Sequence, residues 1–308
     1  MTNDLATKVL YEVRKAVVGK DDVVAKALLA ILAGGHILME DIPGVGKTTL
    51  AVAFSKALGL TYKRVQFTPD VLPSDLTGFS IYNKETGSMD YQPGALLCNL
   101  FLADELNRAT SRTQSALLEA MEEHQVTVDG VSRPVPSPFL VIATQNPAGA
   151  SGTQPLPDSQ MDRFMIRISL GYPDEANEVE MLRRKQKGHP LDAVKQVTDG
   201  AGLERARQEV AAVHVSDEVA QYMVRLTAAT RTHPLVHQGG SPRCTLAVAA
   251  MARAMAWVQG RDYVLPQDVK AVFRDTAAHR LLLTGRGVTE GADPAGDALK
   301  SVPAPRLP

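Results

Sequence analysis

The sequence predicts an α/β domain, a parallel sheet between helices with β-hairpin inserts, followed by an all-helical domain. Three observations carry this. Strand-like and helix-like segments alternate through the first half, the alternation stops at Gly171-Tyr172-Pro173, and helical spacing continues beyond it. The expected division is 1–172 for the first domain, 173–285 for the second and 286–308 for a flexible tail. A length of 308 residues suits two domains at about 150 residues each.

The elements follow in order. Val24, Ala27, Leu28, Ile31 and Leu32 keep helical spacing, Gly34-Gly35 stops that helix, and Ile37-Leu38-Met39 reads as a short buried strand. A helix over 48–58 ends at Gly59, and further strands are expected over 64–67, 100–103, 139–144 and 165–170. Ser111 opens another helix with Gln114 three residues on as a capping box, and Leu117, Leu118 and Met121 share one face. Two pieces read as protruding hairpins: 78–93, with aromatic and β-branched residues around a polar turn, and 125–131, with valines around Asp129-Gly130. Helices are then expected over 174–187, 203–213, 216–232, 241–258 and 266–283. Ser241-Pro242 supplies a cap and a first-turn proline, whereas 285–308 is rich in Gly, Pro and Ala with few large apolar residues.

Composition narrows the function. With Lys+Arg 33 against Asp+Glu 34 the net charge is -1, which excludes a wholesale basic surface for nucleic acid. Cys98 and Cys244 stand far apart in no ligand spacing, so neither a disulfide framework nor a zinc site is indicated. The start has no signal-peptide core, and the longest apolar-rich run, 27–39, is shorter than the ~18 residues of a membrane span. The expectation is a soluble cytoplasmic protein.

The strongest chemical signal is Pro43-Gly44-Val45-Gly46-Lys47-Thr48-Thr49, between a strand and a helix. A glycine-rich turn there points backbone N–H groups inward, and the helix N-terminus adds a positive dipole, so phosphate oxygens meet unpaired donors. Lys47 would reach the β and γ phosphates of a nucleotide and Thr48 would give its hydroxyl to Mg2+. Asp41 stands where the general GxxxxGK[ST] pattern has glycine. The second signal is the apolar strand ending in Asp104-Glu105, at the carboxyl edge where open α/β sheets place ligands. Asp104 would hold Mg2+ and Glu105 would deprotonate an attacking water. Asn146 ends another apolar strand and would hold that water, while Arg163 and Arg243 are candidates to neutralise the growing γ-phosphate charge.

In order and spacing, EDIPGVGKTTL, LADELNRATSRTQSALLEAMEEHQVTVDG, PFLVIATQNP with GTQPLPDSQMDRF, and GGSPRCTLAVAAMARAMAWVQGRDYVLPQDV together resemble the MoxR group of AAA+ ATPases, from residue 18 to residue 283. The resemblance implies an AAA+ P-loop domain with a helical lid. It makes 43–49 Walker A, Asp104 and Glu105 Walker B, and Asn146 sensor 1. It makes Arg163 an arginine finger acting on ATP in the neighbouring subunit, hence a homo-oligomeric ring, usually hexameric, and Arg243 a sensor 2 reading the γ-phosphate within its own subunit. Val18 and Gly19 match the segment beside the adenine, and the hairpins 78–93 and 125–136 match inserts that face the pore in related rings. Asp41 fits the group, in which an acidic residue is usual there. The implied function is a chaperone-like ATPase remodelling a protein client, with a von Willebrand factor A domain protein as the first partner to look for.

Two alternatives stand beside it. A nucleic-acid motor would need basic pore hairpins, yet 125–136 carries only Arg133 and 78–93 only Lys84. An ATP-sensing module with little turnover is opposed by Glu105, Asn146 and Arg163. Other signals read as structural: His233 and His237 in a loop rather than a metal site, the basic run 183–187 as a charge-paired helix face, and Met251, Met255 and Trp257 as core.

Overall fold

The computed structural model describes residues 3–146, 156–186 and 188–306. The chain opens with α1 (Asp4–Arg14) and α2 (Asp21–Leu32). The sequence reading did not anticipate α1, yet Asn3 caps it by accepting from the Leu5 and Ala6 amides, and Ala6, Val9 and Val13 bury one face. β1 (Ile37–Glu40), α3 (Lys47–Ala57), β2 (Tyr62–Gln66) and a short α4 (Pro73–Thr77) follow. The first hairpin is β3 (Gly78–Asn83) with β4 (Ser88–Pro93). After β5 (Leu100–Asp104) and α5 (Ser111–Glu123), the second is β6 (Gln125–Val128) with β7 (Val131–Pro134). β8 (Leu140–Gln145), α6 (Asp158–Met161) and β9 (Ile166–Ile168) complete the α/β part.

The sheet has the order β2-β5-β8-β1-β9, and every pair is parallel. Its middle strands β5, β8 and β1 are buried almost end to end, as a sheet covered on both faces requires. Alternate residues serve opposite faces. Ile37, Met39, Leu100, Leu102, Leu140 and Ile142 join the core with α2 and α3, while Leu38, Phe101, Ala103, Val141 and Ala143 join a second core with Leu117, Leu118 and Met121 of α5.

The remainder contains α7 (Glu175–Gln186), α8 (Gly200–Ala212), α9 (Asp217–Arg231), β10 (Val236–Gln238), α10 (Pro242–Val258), α11 (Pro266–Ala277), β11 (Leu282–Leu283), α12 (Gly285–Thr289) and α13 (Pro294–Ser301). Lys187, expected to close α7, lies outside the described residues, as do 307–308 of the expected tail. No helix among the described residues is long and apolar enough to cross a membrane.

Four expectations need correction. The second part is not wholly helical, because β10 and β11 pair antiparallel, Val236 opposite Leu283. The helix expected over 266–283 therefore stops at Ala277, and a 3-10 turn over 278–280 leads into β11. The cap of α5 is Thr110, whose Oγ1 accepts from the Thr113 amide; Gln114 instead donates to Leu106 O and Ala109 O at 3.3 Å each. The expected tail is folded through α12 and α13: Thr284 and Asp293 cap the two helices, and Ala295 and Ala298 are buried where α13 meets α9 and α11. Small side chains here allow close helix approach rather than disorder.

Candidate functional site

The phosphate loop lies between β1 and α3. Gly44 and Gly46 have φ of 87° and 101°, the left-handed region that side chains avoid, although a Cβ at either would meet nothing within 4 Å. Backbone conformation alone thus demands glycine at both. Gly46 caps α3 without a side-chain acceptor, so the first amides of that helix are left for an anion. Lys47 is buried, and its Nζ donates to Asp41 O at 2.7 Å and Ile42 O at 3.4 Å. Burial pulls its pKa below the usual lysine value, against the opposing pull of Asp41, Asp104 and Glu105. Thr48 and Thr49 follow in the first turn of α3.

Asp41 explains its own departure from the glycine pattern. It is 5% exposed; Oδ1 accepts from Ser169 Oγ at 2.7 Å and the Gly171 amide at 2.9 Å, and Oδ2 accepts from the Leu170 amide at 2.6 Å. It ties the start of the loop to the chain leaving β9.

The sheet order puts β8 between β5 and β1, so Asp104, Glu105 and Asn146 come out on the same edge as the loop. Asp104 is 8% exposed; Oδ2 accepts from Arg64 Nη2 at 2.7 Å and Nε at 3.1 Å, and Oδ1 accepts from Thr144 Oγ1 at 2.6 Å. The same Thr144 oxygen accepts from the Glu105 amide at 2.8 Å, fixing side chain and backbone of the acidic pair together. Glu105 has φ 57°, uncommon for a residue with a side chain, and its carboxylate accepts from Arg108 Nη1 at 2.9 Å. Asn107 braces Asn146, donating from Nδ2 to its carbonyl at 3.2 Å and accepting from its amide at 3.4 Å. Asn146 Oδ1 is buried with no hydrogen-bond partner among the described residues. Sequence reasoning missed Arg64, Thr144, Asn107 and Arg108; of these only Arg108 stands near its partner in the chain.

Beside the loop is a cleft of 580 Å³, where Val18, Pro43, Gly44, Val45 and Thr49 meet Tyr172, Met181 and Leu182. These last three offer an apolar wall for a planar base, and sequence reasoning missed them as well. Gly19 has φ 69°, and a Cβ there would stand 2.3 Å from Asn177, so it permits the close approach of α7. Donors for phosphate oxygens, a carboxylate pair and a threonine hydroxyl for a hard cation, the orphaned Asn146 oxygen and an apolar cleft together fit a magnesium-bound nucleotide.

The two arginines do not line that cleft. Arg163, just after α6, has Nε 2.8 Å from Glu122 Oε2 and donates from Nη1 to Ser159 O at 3.3 Å. Arg243, in the first turn of α10, donates to the other oxygen of Glu122. α10 packs on α2, α8, α9 and α11, and none of its residues is among the described residues lining the loop's cleft. Asp162 fixes this placement, accepting from Ser241 Oγ at 3.2 Å and from Arg280 Nη1 at 2.8 Å. On the hairpins, Arg133 is engaged: it stacks over Tyr91 at 3.9 Å and donates to Val128 O and Val131 O.

Comparison with known proteins agrees with this geometry. The family model described as ATPase family associated with various cellular activities (AAA) matches residues 36–166, and an AAA lid domain model matches 228–298. The chain is 40% identical over 296 residues to chaperone MoxR1 of Mycobacterium tuberculosis, covering 93% of this chain and 78% of that protein. It is 32% identical over 304 residues to protein MoxR of Methylorubrum extorquens, covering 91% and 88%. A crystal structure from Cytophaga hutchinsonii, described as a candidate ATPase, superimposes with a TM-score of 0.91 at 37% identity, covering 98% of this chain and 96% of that one.

Proposed function

The chain belongs to the MoxR family of AAA+ ATPases, and from that membership we propose that it hydrolyses ATP with Mg2+ in a ring, hexameric by the usual rule of the family, to remodel a protein client. The observation that carries the reading is the convergence of the Lys47 loop, Asp104, Glu105 and Asn146 on one sheet edge. Residues 1–172 are the engine and the helices after them the lid, which extends through α13.

Lys47 and the α3 amides bind phosphate oxygens, and Lys47 can leave its two carbonyl partners to do so. Thr48 and Asp104 would hold Mg2+, which when bound supplies charge neutralisation at the phosphates. Glu105, its backbone held by Thr144, accepts the proton of the attacking water, and the free Asn146 oxygen accepts from the same water. Val18, Gly19 and the wall of Tyr172, Met181 and Leu182 seat the base. Arg163 and Arg243 both act on the nucleotide of a neighbouring subunit, since they stand together away from the cleft of their own chain. The cytoplasm is the compartment proposed. A protein with a von Willebrand factor A domain is the client to test first; the engaged Arg133 supports a protein client over nucleic acid.

The test is ATP turnover and nucleotide binding of the wild type, Lys47→Ala and Glu105→Gln. The expected result is turnover in the wild type, loss of binding in Lys47→Ala, and binding without turnover in Glu105→Gln. Equal turnover in wild type and Glu105→Gln would overturn the reading.

A further inference from the structure

Arg163 and Arg243 reach one carboxylate from separate parts of the chain, the loop after α6 and the first turn of α10. Glu122, in the last turn of α5, receives them on different oxygens, Arg163 on Oε2 and Arg243 on Oε1. Two guanidinium groups brought this close repel one another unless an anion stands between them. A carboxylate with two oxygens, each taking one guanidinium, also presents the arrangement that two oxygens of a phosphate would present.

Three details separate Glu122 from an ordinary surface ion pair. Arg163 Nε is a buried atom 2.8 Å from the carboxylate, so this end of the contact is shielded from the water that weakens exposed pairs. The three side chains remain partly open, with Arg243 50% exposed, so an incoming anion has access. Burial pushes the Glu122 carboxyl up but the two arginines prevail and hold it below the usual carboxylate range, so it stays charged.

We propose that Glu122 is a positioning residue: it gathers Arg163 and Arg243 into a pair preset for the terminal phosphate of a nucleotide bound by a second copy of this chain. The proposal rests on the ATPase reading above. Glu122 itself touches neither nucleotide nor water; without it the arginines stay in place along the chain but separate at their tips.

The test compares wild type, Glu122→Gln, Glu122→Asp, the double variant Arg163→Ala/Arg243→Ala, and that double variant carrying Glu122→Gln. Two quantities are read: steady-state ATP turnover, and assembly with a non-hydrolysable ATP analogue by sedimentation. Glu122→Gln is expected to lower kcat about tenfold with KM within about twofold, and to raise the protein concentration for half-assembly at least about threefold. Glu122→Asp, which keeps the charge, recovers part of both. In the background lacking both arginines, where turnover is already lost, Glu122→Gln leaves the half-assembly concentration unchanged, whereas a merely structural role for Glu122 would raise it there too and would overturn the proposal. Wild-type behaviour of Glu122→Gln beside an impaired double variant overturns the proposal alone. Wild-type behaviour of the double variant overturns the trans assignment of the arginines and the proposal with it, while the outcome for Glu105→Gln still judges the ATPase reading separately.

Discussion

Asp41 shows how a single residue can break a local pattern for a reason elsewhere in the fold. Its carboxylate receives Ser169 Oγ and the amides of Leu170 and Gly171, none of which is near it in the chain. Asp41→Gly would restore the general phosphate-loop pattern, yet it strands three donors at a buried position. It is expected to lower the unfolding free energy by about 3 kcal/mol, read from urea denaturation. Thr144 is a second such residue. Thr144→Val keeps the shape of the side chain but deprives Asp104 of a donor and the Glu105 amide of an acceptor. Turnover is expected to fall about 10- to 100-fold with nucleotide affinity within about threefold, measured by steady-state kinetics and a fluorescent nucleotide. The loop and the Asp104-Glu105 pair are readable from the sequence because their chemistry needs neighbours in the chain. Thr144 and Arg64 are not, because strand pairing alone sets them on Asp104.

At the scale of elements, periodicity finds the strands of the sheet and the long helices, and turn chemistry finds both hairpins. It fails for α13, where Pro294, Ala295 and Ala298 pack by being small. Ala298→Glu would put a carboxylate into the contact of α13 with α9 and α11, and a loss of about 3 kcal/mol is expected, seen as a lower thermal midpoint. A disordered tail would leave that midpoint unchanged. Two buried histidines tie elements together. His36 Nε2 meets Met121 O of α5 and its Nδ1 accepts from the Val141 amide of β8, while His279 Nε2 meets Phe164 O. Burial lowers His36 to about 4 and, with help from Arg280, His279 to about 3, from a model-peptide value of 6.5. Both are neutral in the fold and charged when unfolded below that value. The unfolded chain therefore binds more protons there, and stability falls as pH drops from about 6.5 toward 4, by up to about 1.4 kcal/mol per unit for each histidine. Urea denaturation at pH 7, 6 and 5 checks this; His36→Gln should flatten the slope.

For the molecule as a whole, the sequence carries the motifs of a nucleotide engine but not the seat of its lid. α10 packs on α2, a long-range preference that no local pattern expresses, and this places Arg243 beside Arg163 and Glu122. One chain thus presents a phosphate cleft and, apart from it, an arginine pair, which the proposed ring would join between neighbouring copies through a heterologous interface. Subunit mixing tests this most directly. Glu105→Gln and Arg163→Ala, each inactive alone, are combined in equal amounts and ATP turnover is measured with assembly verified. Arginines acting between subunits predict recovery to about one quarter of wild-type turnover, the share of interfaces that pair an intact cleft with an intact arginine in random rings. Assembled mixtures that stay as inactive as their components would contradict it.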